Sequence, residues 1–296
     1  MIFLNIKFMN NIKYFFQFLI IILLLLIFKL IGVKYSTIIS GKIFEILGPL
    51  FRSNKISHSN LTRAFPKLNK TEKAQIIKKM WNNYGKILAE YVFMNNFRKS
   101  KKYDKKIMIK NQDELENIKK NSSPVIFISG HFNNFELMAL HIEKSGIDLA
   151  AIYRPLNNIF LNPVMEYIRK NYICRKQIKK GISGTKELLK LFKEGTSVAL
   201  MIDQRVSEGI RSKLFNNDAF TTTIPAQFVK KFNAKIVPIY IERDLENKFI
   251  IEIDKSIEFS KNETLESITL KLNEILEKMI LRNPDQWIWT HNRWRN

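Results

Sequence analysis

The chain has 296 residues, of which 46% are hydrophobic and 26% are charged, a composition typical of globular proteins and not of disordered ones. A single cysteine, Cys174, excludes a disulfide framework and a zinc site of four cysteines, and four histidines without an HExxH motif argue against a metal hydrolase. The 49 Lys and Arg residues exceed the 27 Asp and Glu residues by 22, which is typical of proteins that bind nucleic acid, anionic lipid headgroups or phosphorylated substrates.

The basic excess and the most apolar stretch both lie in the N-terminal third. Residues 1–110 hold 21 Lys and Arg against 4 Asp and Glu, whereas residues 111–296 hold 28 against 23. Residues Tyr14–Val33 are apolar with two interruptions, and a helix of about 20 such residues can span about 30 Å of hydrocarbon. A cleaved signal peptide is disfavoured because no small-residue cleavage site follows, and a helix lying within one leaflet is the other alternative. We predict an uncleaved transmembrane anchor in residues 1–35.

Residues 36–110 are predicted to form a basic, amphipathic helical extension. Apolar residues recur at helical spacing between Ile76 and Tyr91, and Thr71 or Asn69 can cap the start of this helix. The helix could pack on the main domain or lie on the bilayer beside lysines that bind anionic lipid; the sequence does not separate the two. More basic residues follow the anchor than precede it, which favours a cytoplasmic position for the rest of the chain.

Residues 111–296 alternate short β-rich runs with helical ones, which predicts a single α/β domain with a mixed, largely parallel sheet flanked by helices. The predicted strands are Val125–Ile128, Leu149–Tyr153, Ser197–Ile202, Lys235–Ile241 and Phe249–Ile253. The predicted helices lie near residues 135–145, 162–172, 184–194, 224–232 and 263–281.

The most informative run is Pro124–Glu136, in which an apolar strand ends just before His131 and a helix begins shortly after it. Ligands of open α/β sheets bind at the carboxyl ends of the strands. A histidine next to a carboxylate at that edge can act as a general base with a fixed tautomer. The alternative is a histidine at a helix start, with Glu136 complementing the helix dipole. The spacing alone leaves both readings open.

His131-x4-Glu136 within Gly-His-Phe-x-Asn-Phe-Glu resembles the H-x4-D/E motif of the lysophospholipid acyltransferase superfamily. It is most similar to the bacterial lipid A biosynthesis (lauroyl/myristoyl) acyltransferase family. Two departures, Asn133 where the family usually has Gly and Phe135 where it usually has Trp, bear on fine substrate choice. The other stretches that carry the resemblance are Asn60–Pro66, Tyr153–Leu156, Asp203-Gln204, Thr221–Ala226 before Val237-Pro238, and Asn283–Trp294.

The resemblance implies an enzyme that transfers a fatty acyl chain from an acyl carrier protein thioester to a hydroxyl of a lipid A precursor. It implies His131 and Glu136 as catalytic residues, with no metal and no cofactor beside the thioester co-substrate. The implied substrate-binding residues are Arg154, Arg169, Asp203 and Gln204. A histidine with an ordinary pKa of about 6.5 can remove the hydroxyl proton. The absence of a G-x-S-x-G elbow in the sequence favours direct attack by the acceptor over a covalent serine intermediate.

Two carboxylates could orient His131. Glu136 is local in sequence, whereas Asp203 requires neighbouring strands to bring their ends together. We expect Glu136 to be the partner and Asp203 to lie near the acceptor. Trp287, Trp289 and Trp294 are expected at a membrane interface or in the core.

The expected partners are acyl carrier protein, a phosphorylated glycolipid acceptor and a bilayer with anionic lipids, without nucleic acid. The expected location is the bacterial inner membrane, with one membrane crossing and a cytoplasmic catalytic domain. One alternative is acylation of another membrane lipid, such as a phosphoinositide mannoside or an ornithine lipid. A non-enzymatic alternative is a membrane-tethered protein that binds polyanions, in which His131 and Glu136 would be dispensable.

Overall fold

A computed structural model describes residues 2–295 of the chain, with side chains from Met9 onward, and begins with one long helix, α1 (Ile2–Phe51). Gly32, with φ +81°, kinks α1, because a left-handed backbone conformation interrupts the helical ladder. Within the described residues, the segment Met9–Phe51 is the one helix long and apolar enough to cross a membrane. Little of its most apolar part is buried, as expected for a membrane anchor.

Four further helices follow α1: α2 (Asn54–Ala64), α3 (Lys70–Tyr91), α4 (Met94–Lys99) and α5 (Lys101–Asp104). Asn69 begins α3 with a capping box, in which its side chain accepts from the N–H of Glu72 and the Glu72 side chain accepts from the N–H of Asn69. Gly85 of α3 lies so close to α1 that a Cβ there would stand 2.2 Å from the carbonyl oxygen of Ser40. Ile77, Met80 and Trp81 of α3 are buried in the same hydrophobic core as the strands of the sheet, so the apolar face of α3 packs on the main domain, the first of its two predicted settings.

A seven-stranded sheet with the order β1-β9-β8-β2-β5-β3-β4 forms the centre of the molecule. Neighbouring strands are parallel except β8 and β9, so the predicted mixed, largely parallel α/β fold is confirmed. A separate antiparallel hairpin is formed by β6 and β7. The strands are β1 (Ile107–Lys110), β2 (Ile126–Ser129), β3 (Leu149–Tyr153), β4 (Lys176–Lys179), β5 (Ser197–Met201), β6 (Ile210–Leu214), β7 (Asn217–Thr221), β8 (Ile236–Arg243) and β9 (Phe249–Ile253).

Helices connect these strands and cover the sheet. They are α6 (Gln112–Asn121), α7 (Glu136–Lys144), α8 (Leu161–Ile168), α9 (Ile182–Lys193), α10 (Ile224–Phe232) and α11 (Leu265–Arg282). A π-helical turn, Arg169–Ile173, continues α8. All five predicted strands and all five predicted helical regions of this part of the chain are present. The first strand, β1, lies at the end of the stretch predicted as a helical extension and joins the sheet beside β9.

Four strands were not predicted, and their residues explain why. The outermost strands β1 and β4 have the sequences IMIK and KQIK, and the hairpin strands β6 and β7 have IRSKL and NDAFT. In β4, β6 and β7 polar residues interrupt the continuous apolar run that is typical of a central parallel strand, and in β1 that run is only three residues long. By contrast, every residue of the central strand β2 is buried.

Candidate active site

His131 and Asp203 meet at the carboxyl ends of two neighbouring parallel strands. Ser129 of β2 is paired with Met201 of β5. His131 follows Ser129 by two residues, and Asp203 follows Met201 by two residues. The Nδ1 atom of His131 lies 2.8 Å from Oδ1 of Asp203, and the backbone N–H of His131 donates to Oδ2 at 2.8 Å. The strand register therefore brings together two groups that are 72 residues apart, and Asp203 is the carboxylate partner of His131.

Asp203 is fully buried and accepts a third hydrogen bond from Nε1 of Trp287 at 2.9 Å. Burial raises the pKa of Asp203, but the charge and hydrogen bonds of His131 together with Trp287 hold it below its ordinary value. Burial lowers the pKa of His131, but the Asp203 carboxylate raises it above its ordinary value. The aspartate thus stays ionised and stabilises an imidazolium beside it.

The other ring nitrogen of His131, Nε2, is turned away from Asp203. The His131 side chain is 21% exposed, its Nε2 lies 3.5 Å from Nε2 of Gln204, and its ring packs edge-on against Phe135 at 4.8 Å between centroids. An ionised carboxylate at Nδ1 favours the tautomer with the proton on Nδ1. In that tautomer the lone pair of Nε2 faces the Gln204 amide, which can donate to it across 3.5 Å, and Nε2 can accept a proton.

Glu136, which we expected to orient His131, contacts other residues, and that expectation is wrong. Glu136 is the first residue of α7, and its Oε1 accepts from the Tyr91 hydroxyl at 2.5 Å. The same oxygen accepts from Nε and Nη2 of Arg169 at 2.9 and 2.8 Å. Side chains of a helix point back towards its N-terminus. The Glu136 side chain therefore reaches Tyr91 of α3 and Arg169 of the turn after α8. Glu136 therefore anchors Arg169.

The other predicted site residues, Arg154, Arg169 and Gln204, lie around this edge of the sheet and differ in burial and in contacts. The Arg169 guanidinium lies 5.8 Å from the centre of the Tyr153 ring; burial lowers the pKa of Arg169, but Glu136 raises it above its ordinary value. Arg154 is exposed and directly follows β3. Gln204 is partly buried, and its amide lies beside Nε2 of His131. The Arg169 and Arg154 side chains thus bring positive charge to the carboxyl edge.

The thiol of Cys174 lies in a setting that makes it unreactive. Cys174 is buried, its Sγ lies 3.1 Å from the carbonyl oxygen of Leu149, and burial raises the pKa of this thiol to about 12. A thiol in this state is not a nucleophile near neutral pH. Between residues 2 and 295, no group of three or more His, Cys, Asp or Glu side chains is arranged to hold a metal ion.

Comparison with known proteins matches this chain to the family described as bacterial lipid A biosynthesis acyltransferase over residues 6–296. The chain belongs to this family. It is similar to a lipid A biosynthesis lauroyltransferase of Escherichia coli (strain K12), with 24% identity over 256 residues, which cover 82% of this chain and 79% of the relative. It is also similar to lipid A biosynthesis acyltransferase 2 of Shigella flexneri, with 25% identity over 262 residues, 84% of this chain and 80% of the relative. The protein is therefore an acyltransferase that moves groups other than aminoacyl groups.

A buried polar network that the sequence did not reveal supports the His131 loop of this acyltransferase. The side chains of Arg243 and Glu90 form an ion pair at 2.7 Å and are 6% and 1% exposed. Asn134 donates to Glu90 at 2.8 Å, Arg243 donates to Asn133 at 3.1 Å, and Asn133 donates to Gln286 at 2.7 Å. Asn133 has φ +41°, a conformation that Asn adopts more readily than most residues other than Gly. This explains how Asn can stand at a position where the resemblance predicts Gly.

Stretches at opposite ends of the chain that carry the family resemblance pack together behind the site. Asn60 donates to the carbonyl oxygens of Trp289 and His291 at 2.8 and 2.6 Å. Arg293 is fully buried and donates to the hydroxyl of Thr221 at 2.7 Å. Trp287, Trp289 and Trp294 are all buried in the core, which decides between their two predicted positions. The role of Trp287 as a donor to Asp203 was missed, because nothing local in sequence links the two residues.

Proposed function

We propose that this acyltransferase moves a fatty acyl chain of the lauroyl or myristoyl type from an acyl carrier protein thioester to a hydroxyl of a lipid A precursor, with His131 as the general base. The observation that carries the proposal is the contact between Nδ1 of His131 and the buried Asp203 carboxylate, which leaves the unprotonated Nε2 at the ligand edge of the sheet, beside the Gln204 amide. Family membership supports the acyl transfer and the glycolipid acceptor.

In the proposed reaction, the acceptor hydroxyl donates a hydrogen bond to Nε2 of His131. As the hydroxyl oxygen attacks the thioester carbonyl carbon, its proton moves to Nε2, and Asp203 stabilises the resulting imidazolium. The tetrahedral intermediate then collapses with cleavage of the carbon–sulfur bond. The imidazolium returns its proton to the departing sulfur, so that ester and thiol are the products and the base is regenerated. The thioester supplies the activated acyl group, and we propose no additional cofactor.

The arginines and Gln204 have proposed roles in binding. Positive charge near the carbonyl stabilises the negative charge that develops on its oxygen. Arg169, held by Glu136 and Tyr91, is positioned to supply this charge, whereas the exposed Arg154 suits a phosphate group of the acceptor or donor. Gln204 carries amide donors next to Nε2 of His131 and is suited to hold the reacting oxygen. Glu136 then acts through Arg169 and not through His131.

The basic N-terminal third of the chain suits both an acidic carrier protein and anionic headgroups. Membrane association is supported by α1, which is long and apolar enough to span a bilayer. We propose the bacterial inner membrane as its location. The excess of basic residues after the anchor favours a cytoplasmic catalytic domain.

The test combines purified full-length protein, a lipid A precursor in mixed micelles, and an acyl chain carried either by acyl carrier protein or by coenzyme A. Mass spectrometry of the lipid should show one added lauroyl or myristoyl group, formed faster from the carrier protein donor. A faster reaction with the coenzyme A donor would contradict the proposed partner. An unmodified precursor, with both donors consumed by acylation of another lipid, would contradict the proposed acceptor.

A further inference from the structure

Helix α8 has its polar and apolar faces reversed with respect to an ordinary surface helix. Asn162, Glu166 and Arg169 recur at i, i+4 and i+7 and therefore share one face at about 100° per residue. That face points into the protein, where Asn162 accepts from the N–H of Leu156, Glu166 accepts from the Tyr153 hydroxyl and Arg169 binds Glu136. A helix on a water-facing surface would turn these residues outward.

The opposite face of α8 and the residues just before it are apolar and partly or largely exposed. No residue of α8 is buried, although six of its eight residues are apolar or aromatic. Tyr167 is 59% exposed and Ile159 is 53% exposed, and Pro163 is exposed between them in sequence. We call Ile159, Phe160, Pro163, Val164 and Tyr167 the α8 face.

The α8 face is continuous with the apolar surface of α1. The Phe160 ring packs on the rings of Phe15 and Phe18, with centroids 5.5 and 6.2 Å apart, and Asn158 donates to the carbonyl oxygen of Tyr14 at 2.8 Å. Phe15 and Phe16 are themselves 43% and 60% exposed. The α8 face therefore extends an apolar surface that begins within the predicted membrane segment.

Helices α3 and α4 touch α1 much farther along this helix. Phe28 packs on Ala89 of α3, and Nζ of Lys29 donates to Asn96 at 3.0 Å. Tyr14 and Phe28 are about 21 Å apart along a helix that rises about 1.5 Å per residue. A domain lying wholly outside the hydrocarbon would contact the anchor only near its end. The contacts of Asn158 and Phe160 with α1 therefore place the start of α8 beside Tyr14–Phe18, which belong to the segment that the bilayer would surround.

We propose that the α8 face is a second membrane-contacting surface, which lies in the same bilayer as α1. The occupant is lipid, because the face joins the apolar surface of α1 and because its reversed polarity suits hydrocarbon and not water. The same helix leads directly into Arg169, so its outer side would meet the bilayer while its inner side supports the site. An acceptor lipid could then approach His131 from the bilayer. The proposal rests on the membrane insertion of α1 and is independent of acyl transfer.

The test uses the fact that Cys174 is the single cysteine of the chain. In a Cys174→Ala background, a nitroxide label is attached to cysteine in the variants Tyr167→Cys and Ile159→Cys, and each full-length chain is reconstituted into phosphatidylethanolamine and phosphatidylglycerol vesicles. Phe16→Cys serves as the membrane reference. Met108→Cys on the outermost strand β1, 57% exposed, is the matched control for an exposed apolar position away from α8. Collisions with oxygen and with a water-soluble nickel chelate are then compared.

Labels at positions 167, 159 and 16 should collide more with oxygen than with nickel, and the label at position 108 should show the reverse. Nickel accessibility at 167 and 159 equal to that at 108 would overturn the proposal. Spin–spin broadening at 167 that vanishes on dilution with unlabelled chain would assign the face to a second copy and would also overturn it. If the labels enter the bilayer but the unlabelled wild-type protein transfers no acyl group, the proposed function fails while this inference stands.

Discussion

Replacing Asp203 by Asn should abolish tautomer control of His131 while leaving the fold intact. The Oδ2 atom of Asp203 accepts from the His131 N–H and from Trp287 Nε1 at 2.8 and 2.9 Å. An Asn oxygen can keep both bonds, but its NH₂ group then faces Nδ1 of His131. Nδ1 must become an acceptor, the proton moves to Nε2, and the base is lost. The expected loss in kcat is about 10²- to 10⁴-fold, or about 3–5 kcal/mol of barrier at about 1.36 kcal/mol per tenfold.

The assay measures kcat and KM for donor and acceptor in Asp203→Asn and in the matched variant Glu136→Gln. Tautomer control acts on the chemical step, so the KM values of Asp203→Asn should change little. Glu136→Gln should retain more kcat than Asp203→Asn because Glu136 does not contact the His131 ring, but it should lose stability because it leaves Arg169 without its charged partner. A collapse of kcat in Glu136→Gln with near wild-type kcat in Asp203→Asn would refute the reasoning.

The pH dependence of the reaction follows from the same pair. His131 acts as a base only when it is neutral, so kcat/KM should rise with pH through the pKa of His131 and then level off. The Asp203 carboxylate raises the pKa of His131. Its removal should therefore move the residual rising limb of Asp203→Asn to lower pH. A limb that stays in place would show that the carboxylate does not act on this histidine.

Three further outcomes test the account. His131→Ala should lose about 10²- to 10⁴-fold in rate while the protein stays folded; a variant that retains more than about a tenth of the wild-type rate, a barrier change below about 1.4 kcal/mol, would remove the base assignment. Arg243→Met leaves Glu90 buried without its partner and should lower the free energy of unfolding by about 3–5 kcal/mol, against about 0–1 kcal/mol for Lys248→Met at an exposed pair, as measured by denaturant titration. The full chain should stay with membranes in carbonate, and its release would contradict insertion of α1.

Much of the fold was predictable because its central strands are apolar runs between turn residues. The limits of β3 and β9 agree with the predicted strands, since both are short runs composed mainly of apolar residues, of which the sheet buries three in each strand. The edge strand β4 has one buried residue, Ile178, so its sequence carries little strand signal. Local patterning thus identifies strands in the interior better than strands at the periphery.

The partner of His131 was not predictable, because strand order is a property of the whole fold. Glu136 is five residues from His131, whereas Asp203 is brought to it only by the pairing of β2 with β5. The sequence suggested both carboxylates, but it held no signal for the direction of the Glu136 side chain towards Tyr91 and Arg169. The Glu90–Arg243 ion pair could not be predicted for the same reason, since its two residues come from α3 and β8 and meet only in the folded chain.

The position of the proton on the His131 ring tests the central claim most directly. The protein is labelled with ¹⁵N at histidine, and the ring nitrogens of His131, assigned by comparison with His131→Ala, are observed by NMR above the pKa of the imidazole. The account predicts a neutral ring with the proton on Nδ1, retained in Glu136→Gln and shifted to Nε2 in Asp203→Asn. A wild-type ring with its proton on Nε2, unaffected by Asp203→Asn, would contradict it.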